Sequence, residues 1–92
     1  MNDFIKAEEN LFCRVCGFRN ETPPWGDDGC TPLYDYCPCC GVEHGYQDAH
    51  YGGVKAFREE WIDSGAQWYD PTLQPDNWNL QKQLAQVPNK FR

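Results

Sequence analysis

The sequence predicts a small α+β domain in which two cysteine turns on short antiparallel strands hold a metal ion, with two C-terminal helices packed on them. Three observations predict it. Two Cys-x-x-Cys-Gly units, "CRVCG" at 13–17 and "CPCCG" at 37–41, stand in a stretch too broken by proline and glycine for an ordinary helix. Apolar residues recur at helical spacing over residues 53–64 and again after Asn79. The chain has only 92 residues, with eleven Ile, Leu and Val against fourteen Trp, Tyr and Phe. Its core is therefore small, largely aromatic and in need of a staple.

Residues 1–92 form a single domain with two sections. Residues 1–11 read as a strand or frayed segment running into "LFC". The cysteine unit spans 12–46, where Gly17, Pro23, Pro24, Gly26, Gly29, Pro32, Pro38 and Gly41 leave room for short strands and loops. Residues 47–92 read as helical in two pieces. In the first, from about Gly53 to Ser64, Val54, Phe57, Trp61 and Ile62 fall at i, i+3, i+7 and i+8, and Gly65 is a natural stop. The doublet Glu59–Glu60 diverges around that helix and reads as solvated surface rather than an acid/base pair. "AQWYDPTLQPD" is an extended connection. The second helix starts at Asn79, an N-cap, carries Leu80, Leu84 and Val87 on one stripe, and is closed by Pro88.

The spacing of the cysteines carries the chemistry. Two residues between cysteines let a tight turn aim both sulfurs at one point about 2.3 Å away. The glycine that follows takes positive φ, so the turn closes with its N–H groups toward the thiolates. Twenty residues separate Cys16 from Cys37, within the range of paired zinc-binding Cys-x-x-Cys units. Cys13, Cys16, Cys37 and Cys40 are the expected metal ligands. Cys39 points away as a packed thiol, and Cys30 is a loop residue. A three-disulfide framework would need an export route, and "MNDFIKAEEN" is no secretory signal. A cytoplasmic location, where thiols stay reduced, is expected instead. No βαβ pattern surrounds either pair to suggest thioredoxin-like redox chemistry. No sequence signal makes His44 or His50 the base of a Cys39 or Cys30 nucleophile.

The charge of −6 lies entirely on residues 1–53, which hold nine acids against three bases; residues 54–92 are neutral. Such a half repels phosphate backbones and attracts basic proteins, so nucleic acid is an unexpected partner. No apolar run is long enough to cross a membrane.

These residues resemble the zinc-ribbon and rubredoxin-like class, in which two metal-holding knuckles sit on a small antiparallel sheet; "CRVCGF" and "CPCCGV" look like its knuckles. Cys39 beside the metal and a short gap between knuckles depart from rubredoxin. Over most of the chain, "CRVCG…PPWGDDG…P.YDYCPCCGVEHGY" with "REEW" and "NW…QL..VP..FR" is similar to a group of small bacterial cysteine-rich proteins named for their CPCC turn. The resemblance implies a Zn2+-stabilised scaffold. Its most specific functional implication is an immunity protein that neutralises a cognate bacterial toxin, nuclease-like or other. A closed four-thiolate site leaves no open coordination position, so a non-enzymatic module binding a basic protein is expected. The alternative is a rubredoxin-like electron carrier, because iron binds the same four thiolates.

Overall fold

A computed structural model describes residues 9–92, so the lead-in expected over 1–11 falls mostly outside the described residues. The cysteine unit is built from two matching turns. In the first, the Cys13 N–H donates to the Phe18 carbonyl at 2.8 Å, Gly17 N–H to Cys13 at 3.0 Å, and Asn20 N–H to Leu11 at 2.8 Å. The second repeats each bond at a constant offset: Cys37 to Val42 at 2.9 Å, Gly41 to Cys37 at 2.9 Å, and His44 to Asp35 at 3.0 Å. Under that offset Val15 corresponds to Cys39, and both are fully buried.

The short antiparallel strands expected here reduce to two isolated bridges, Phe12↔Arg19 and Tyr36↔Glu43. The reason is local. Each bridge only closes its own cysteine turn. Between them, residues 23–33 fold back on themselves through Thr31 N–H to Trp25 (2.9 Å) and Leu33 N–H to Pro24 (3.0 Å). Prolines there lack the N–H a ladder needs, and Tyr34 takes a left-handed φ of 61° that ends any extended run.

Helix α1, Tyr51–Asp63, starts two residues earlier than its apolar stripe suggests. Val54 and Trp61 are buried on its inner face, with Phe57 and Ile62 packed beside them. It ends where glycine predicts. Gly65 has φ +110°, and the Ala66 N–H turns back onto the Trp61 carbonyl at 2.8 Å. The chain then runs extended over the second cysteine turn, with Tyr69 N–H to Cys39 at 2.9 Å and Asp70 N–H to Pro38 at 2.8 Å. This places Trp68 edge-on to Phe18 (5.7 Å) and Trp78 (5.5 Å), making an aromatic layer against the cysteines.

Helix α2, Leu80–Leu84, is shorter than expected. Asn79 caps it through its side-chain oxygen, which accepts from Lys82 N–H at 2.9 Å. Its end tightens into i→i+3 bonds, Gln86 to Gln83 and Val87 to Leu84, so Val87 is buried beyond the helix rather than on it. Arg58 then ties the sections together. It donates to the carbonyls of Val15 (2.6 Å), Arg14 (2.9 Å) and Phe91 (2.6 Å), joining α1 to the first cysteine turn and the C-terminal turn.

Gly17 has φ +85°, and a Cβ there would strike the Gln83 carbonyl oxygen of α2. Gly52, on α1, faces open space. Gly17→Ala is therefore expected to lower unfolding stability by about 2–4 kcal/mol. Gly52→Ala should raise it by about 0.5 kcal/mol. Equilibrium denaturation of the two variants checks both signs.

Candidate metal centre

The two cysteine turns face each other so that Cys13, Cys16, Cys37 and Cys40 bring their sulfurs within 4.8 Å of one another. Across the pair, Cys13 Sγ lies 3.8 Å from Cys40 Sγ and Cys16 Sγ 3.7 Å from Cys37 Sγ. A tetrahedron with metal–sulfur bonds of about 2.3 Å has edges of about 3.8 Å, so this donor set fits a tetrahedral, thiolate-binding ion. Three of the sulfur residues are fully buried and Cys40 is 7% exposed. Burial pushes the Cys16 and Cys40 thiols well up, whereas hydrogen bonds from Cys13, Cys16 and Cys40 hold the Cys37 thiol well down. Four buried thiols cannot all ionise on their own. A cation that replaces their protons removes that conflict.

Cys39 lies away from this set, as the sequence suggests, but it is not idle. Its buried sulfur accepts from Gln83 Nε2 at 3.1 Å, and the same amide nitrogen donates to the Cys16 carbonyl at 3.2 Å. Gln83 Oε1 in turn accepts from Trp78 Nε1 at 2.7 Å. One glutamine on α2 thus grips both cysteine turns and the aromatic layer. Cys30 is exposed in its loop.

Sequence reasoning missed His44 and Asp48 as parts of this centre. Both are buried, and His44 Nδ1 lies 2.8 Å from Asp48 Oδ2. Asp48 also accepts from Trp25 Nε1 at 3.0 Å and Gly45 N–H at 2.8 Å. Burial works against a charge on His44, yet the Asp48 carboxylate and then the Cys37 sulfur outweigh it and raise its pKa to about 10. Asp48 is likewise opposed by burial but held below its ordinary value by His44 and Trp25. The buried His44 Nε2 has no hydrogen-bond partner. The side-chain hydrogen-bond partner of the imidazole is Asp48, not Cys39 or Cys30, and His50 is exposed at the start of α1. The His-x-x-x-Asp spacing was the one available signal, and it sits in a turn where no periodicity advertises it.

No family model matches the chain, and no solved structure matches it. Two curated proteins of Bacillus subtilis (strain 168) are similar to it. The uncharacterized protein YozI is 25% identical over 80 residues, covering 70% of this chain and 66% of YozI. The uncharacterized protein YoaQ is 25% identical over 75 residues, covering 64% of this chain and 63% of YoaQ. The chain thus spans just under two thirds of the relatives it matches. What stands is a small cysteine-rich protein with a four-cysteine cluster able to hold a metal; membership of the CPCC-named group has no matching family model behind it.

Serine at position 13, 16, 37 or 40 is expected to abolish metal binding and unfold the cysteine unit, because the binding free energy of such sites, about 10–16 kcal/mol, rivals the whole stability of a small domain. Cys30→Ser and Cys39→Ser should keep the metal at full stoichiometry. Elemental analysis of each variant decides the ligand set, and loss of metal in Cys39→Ser with retention in Cys40→Ser would overturn it. Asp48→Ala leaves the His44 ring, the Trp25 indole and the Gly45 N–H without their acceptor. It should cost about 3–5 kcal/mol in denaturant unfolding of metal-loaded protein. A loss near the ~0.5 kcal/mol of a surface substitution would show that the pair does not support the centre.

Proposed function

We infer that the chain is a non-enzymatic protein-binding module whose core is held by a structural zinc ion on Cys13, Cys16, Cys37 and Cys40. The burial of the four sulfurs carries this reading, since Cys40, at 7%, is the most exposed of them. A centre closed on all sides offers no position for substrate or activated water, so whatever the molecule does, it does at its surface. All six cysteines are free, which suits a reducing, cytoplasmic setting. Among the described residues no helix is long and apolar enough to cross a membrane.

The partner that suits this surface is a basic protein. Residues 20–54 contain six acids and no Lys or Arg. Three of the four arginines are engaged elsewhere, and the fourth, Arg19, stands exposed. Arg14 and Arg58 are spent on backbone carbonyls, and Arg92 donates to Val87 (3.0 Å) and Ala85 (2.6 Å). That supports a protein partner over nucleic acid, whose affinity comes from cations on phosphates. Toxin neutralisation is the narrowest form of the reading. It rests on the motif resemblance, to which the two uncharacterized relatives add nothing.

Elemental analysis of natively purified protein should give one zinc per chain, with no visible absorbance. One iron with a thiolate charge-transfer band would put the rubredoxin-like electron carrier in its place. For the surface, a capped nona-arginine peptide titrated against tryptophan fluorescence should bind at low ionic strength and weaken steeply with salt, while nona-glutamate should not bind. Absence of nona-arginine binding at low salt would remove the basic-partner reading.

A further inference from the structure

The aromatic residues divide by type. All four tryptophans are buried or half-buried, whereas all five tyrosines are exposed, from Tyr51 at 48% to Tyr46 at 73%. Tyr51 has a structural task, since its hydroxyl donates to the Arg92 carbonyl at 2.5 Å. Among the described residues the Tyr36 and Tyr69 hydroxyls reach no backbone carbonyl, yet the two rings are ordered against each other. Their rings stack with centroids 5.7 Å apart and planes 9° from parallel. The stack stands on the second cysteine turn. Tyr36 is held by the bridge to Glu43, and Tyr69 by its N–H on Cys39 and by its ring against Gly41, where a Cβ would come within 3.0 Å.

Acids neighbour these rings, Glu43 in space and Asp35 and Asp70 along the chain. Glu43 Oε1 lies 3.5 Å from the Tyr36 hydroxyl, Asp35 precedes Tyr36, and Asp70 follows Tyr69. Asp70 spends only Oδ1, on Thr72 N–H and Thr72 Oγ1. No Lys or Arg falls between Arg19 and Lys55 in the sequence. A flat aromatic pair edged by unneutralised acids suits a planar cation. Guanidinium stacks on ring faces, forks onto carboxylates and sheds water more easily than an ammonium. The protein already uses an arginine this way internally: the Arg14 guanidinium lies 3.9 Å over Trp25 and 4.3 Å over Phe91.

We propose that the Tyr36–Tyr69 stack, with Asp35, Glu43 and Asp70, is the docking face for an arginine-bearing segment of a basic protein partner. This rests on the protein-binding reading above and says which surface executes it: the second cysteine turn and the strand-like segment crossing it, not the outer face of α1.

The test is an NMR titration of the full, metal-loaded, isotopically labelled chain with capped nona-arginine and nona-lysine peptides of equal charge. Nona-arginine should shift resonances of residues 34–36, 41–46 and 69–70 and bind about fivefold tighter than nona-lysine. The double variant Tyr36→Leu with Tyr69→Leu keeps apolar bulk but removes both ring faces. It should weaken nona-arginine about tenfold while metal content and spectral dispersion stay unchanged. Shifts centred on Glu21, Asp27 and Asp28 would overturn this face while leaving the basic-partner reading intact. Equal affinity for both peptides, or an unweakened double variant, would reduce the contact to plain charge attraction and overturn the arginine assignment. No binding of either peptide would overturn the face and the reading together. Sedimentation showing a dimer that the double variant abolishes would assign the face to a second copy of this chain, against the proposal.

Discussion

Four sulfurs from two distant turns must meet at one buried point, and almost every other feature of the fold serves that meeting. Burial opposes ionisation of the Cys16 and Cys40 thiols, and four thiolates around a divalent ion would still leave residual negative charge in a poorly hydrated place. The compensation comes from outside the ligand set. The Asp48-backed His44 is favoured in its charged form by the Cys37 sulfur and the charge of Cys13, and Arg58 by the charges of Cys13, Cys16 and Cys40. Arg14 is placed against Trp25 and Phe91 with its donors on the Gly29 and Asp48 carbonyls. Of the described cations in the acidic half, Arg14 is turned inward while Arg19 stays exposed.

The same constraint explains why helices this modest suffice. α2 has five residues, too few to persist alone. It is held because Gly17 lets its backbone approach the first turn and because Gln83 bonds Cys16, Cys39 and Trp78 at once. α1 is held through the three carbonyls gripped by Arg58. Each helix is thus attached to the cysteine unit by one polar side chain plus an aromatic layer, and aliphatic packing is secondary, as the scarcity of Ile, Leu and Val requires.

What the sequence made legible was local. Cys-x-x-Cys-Gly spacing pointed to the four sulfurs that lie within 4.8 Å of one another, because a tight turn and its glycine are encoded within five residues. Asn79 as cap and Gly65 as stop are equally local, and both stand where they were expected. What it hid was long-range or cancelled. The expected strands shrank to single bridges, because proline and the left-handed Tyr34 cut short the pairing that the turns begin. Gln83 and Arg58 look like surface residues of helices until tertiary contact gives them carbonyls and a sulfur. Cys39 reads as a packed thiol, and it is one. The matching hydrogen bonds of the two turns show it filling the position that Val15 fills in the other, a correspondence visible once the turns are aligned on their glycines.

That internal organisation bears on how the surface can work. Association is opposed by the ordering of side chains that were free beforehand. On this molecule the exposed Tyr36 and Tyr69 rings are already fixed, by a backbone bridge on one side and two backbone hydrogen bonds on the other, all anchored to the sulfur-bearing turn. A partner meeting them as proposed would give up its own freedom but exact little from this side. On the proposed reading, modest terms, a stacked cation and a forked carboxylate, would then suffice for a specific contact on a domain of this size. The cysteine cluster is joined to the rings through the bonds from Tyr69 and Asp70 onto Cys39 and Pro38, so a metal held there with no open coordination position would still shape the face proposed for recognition.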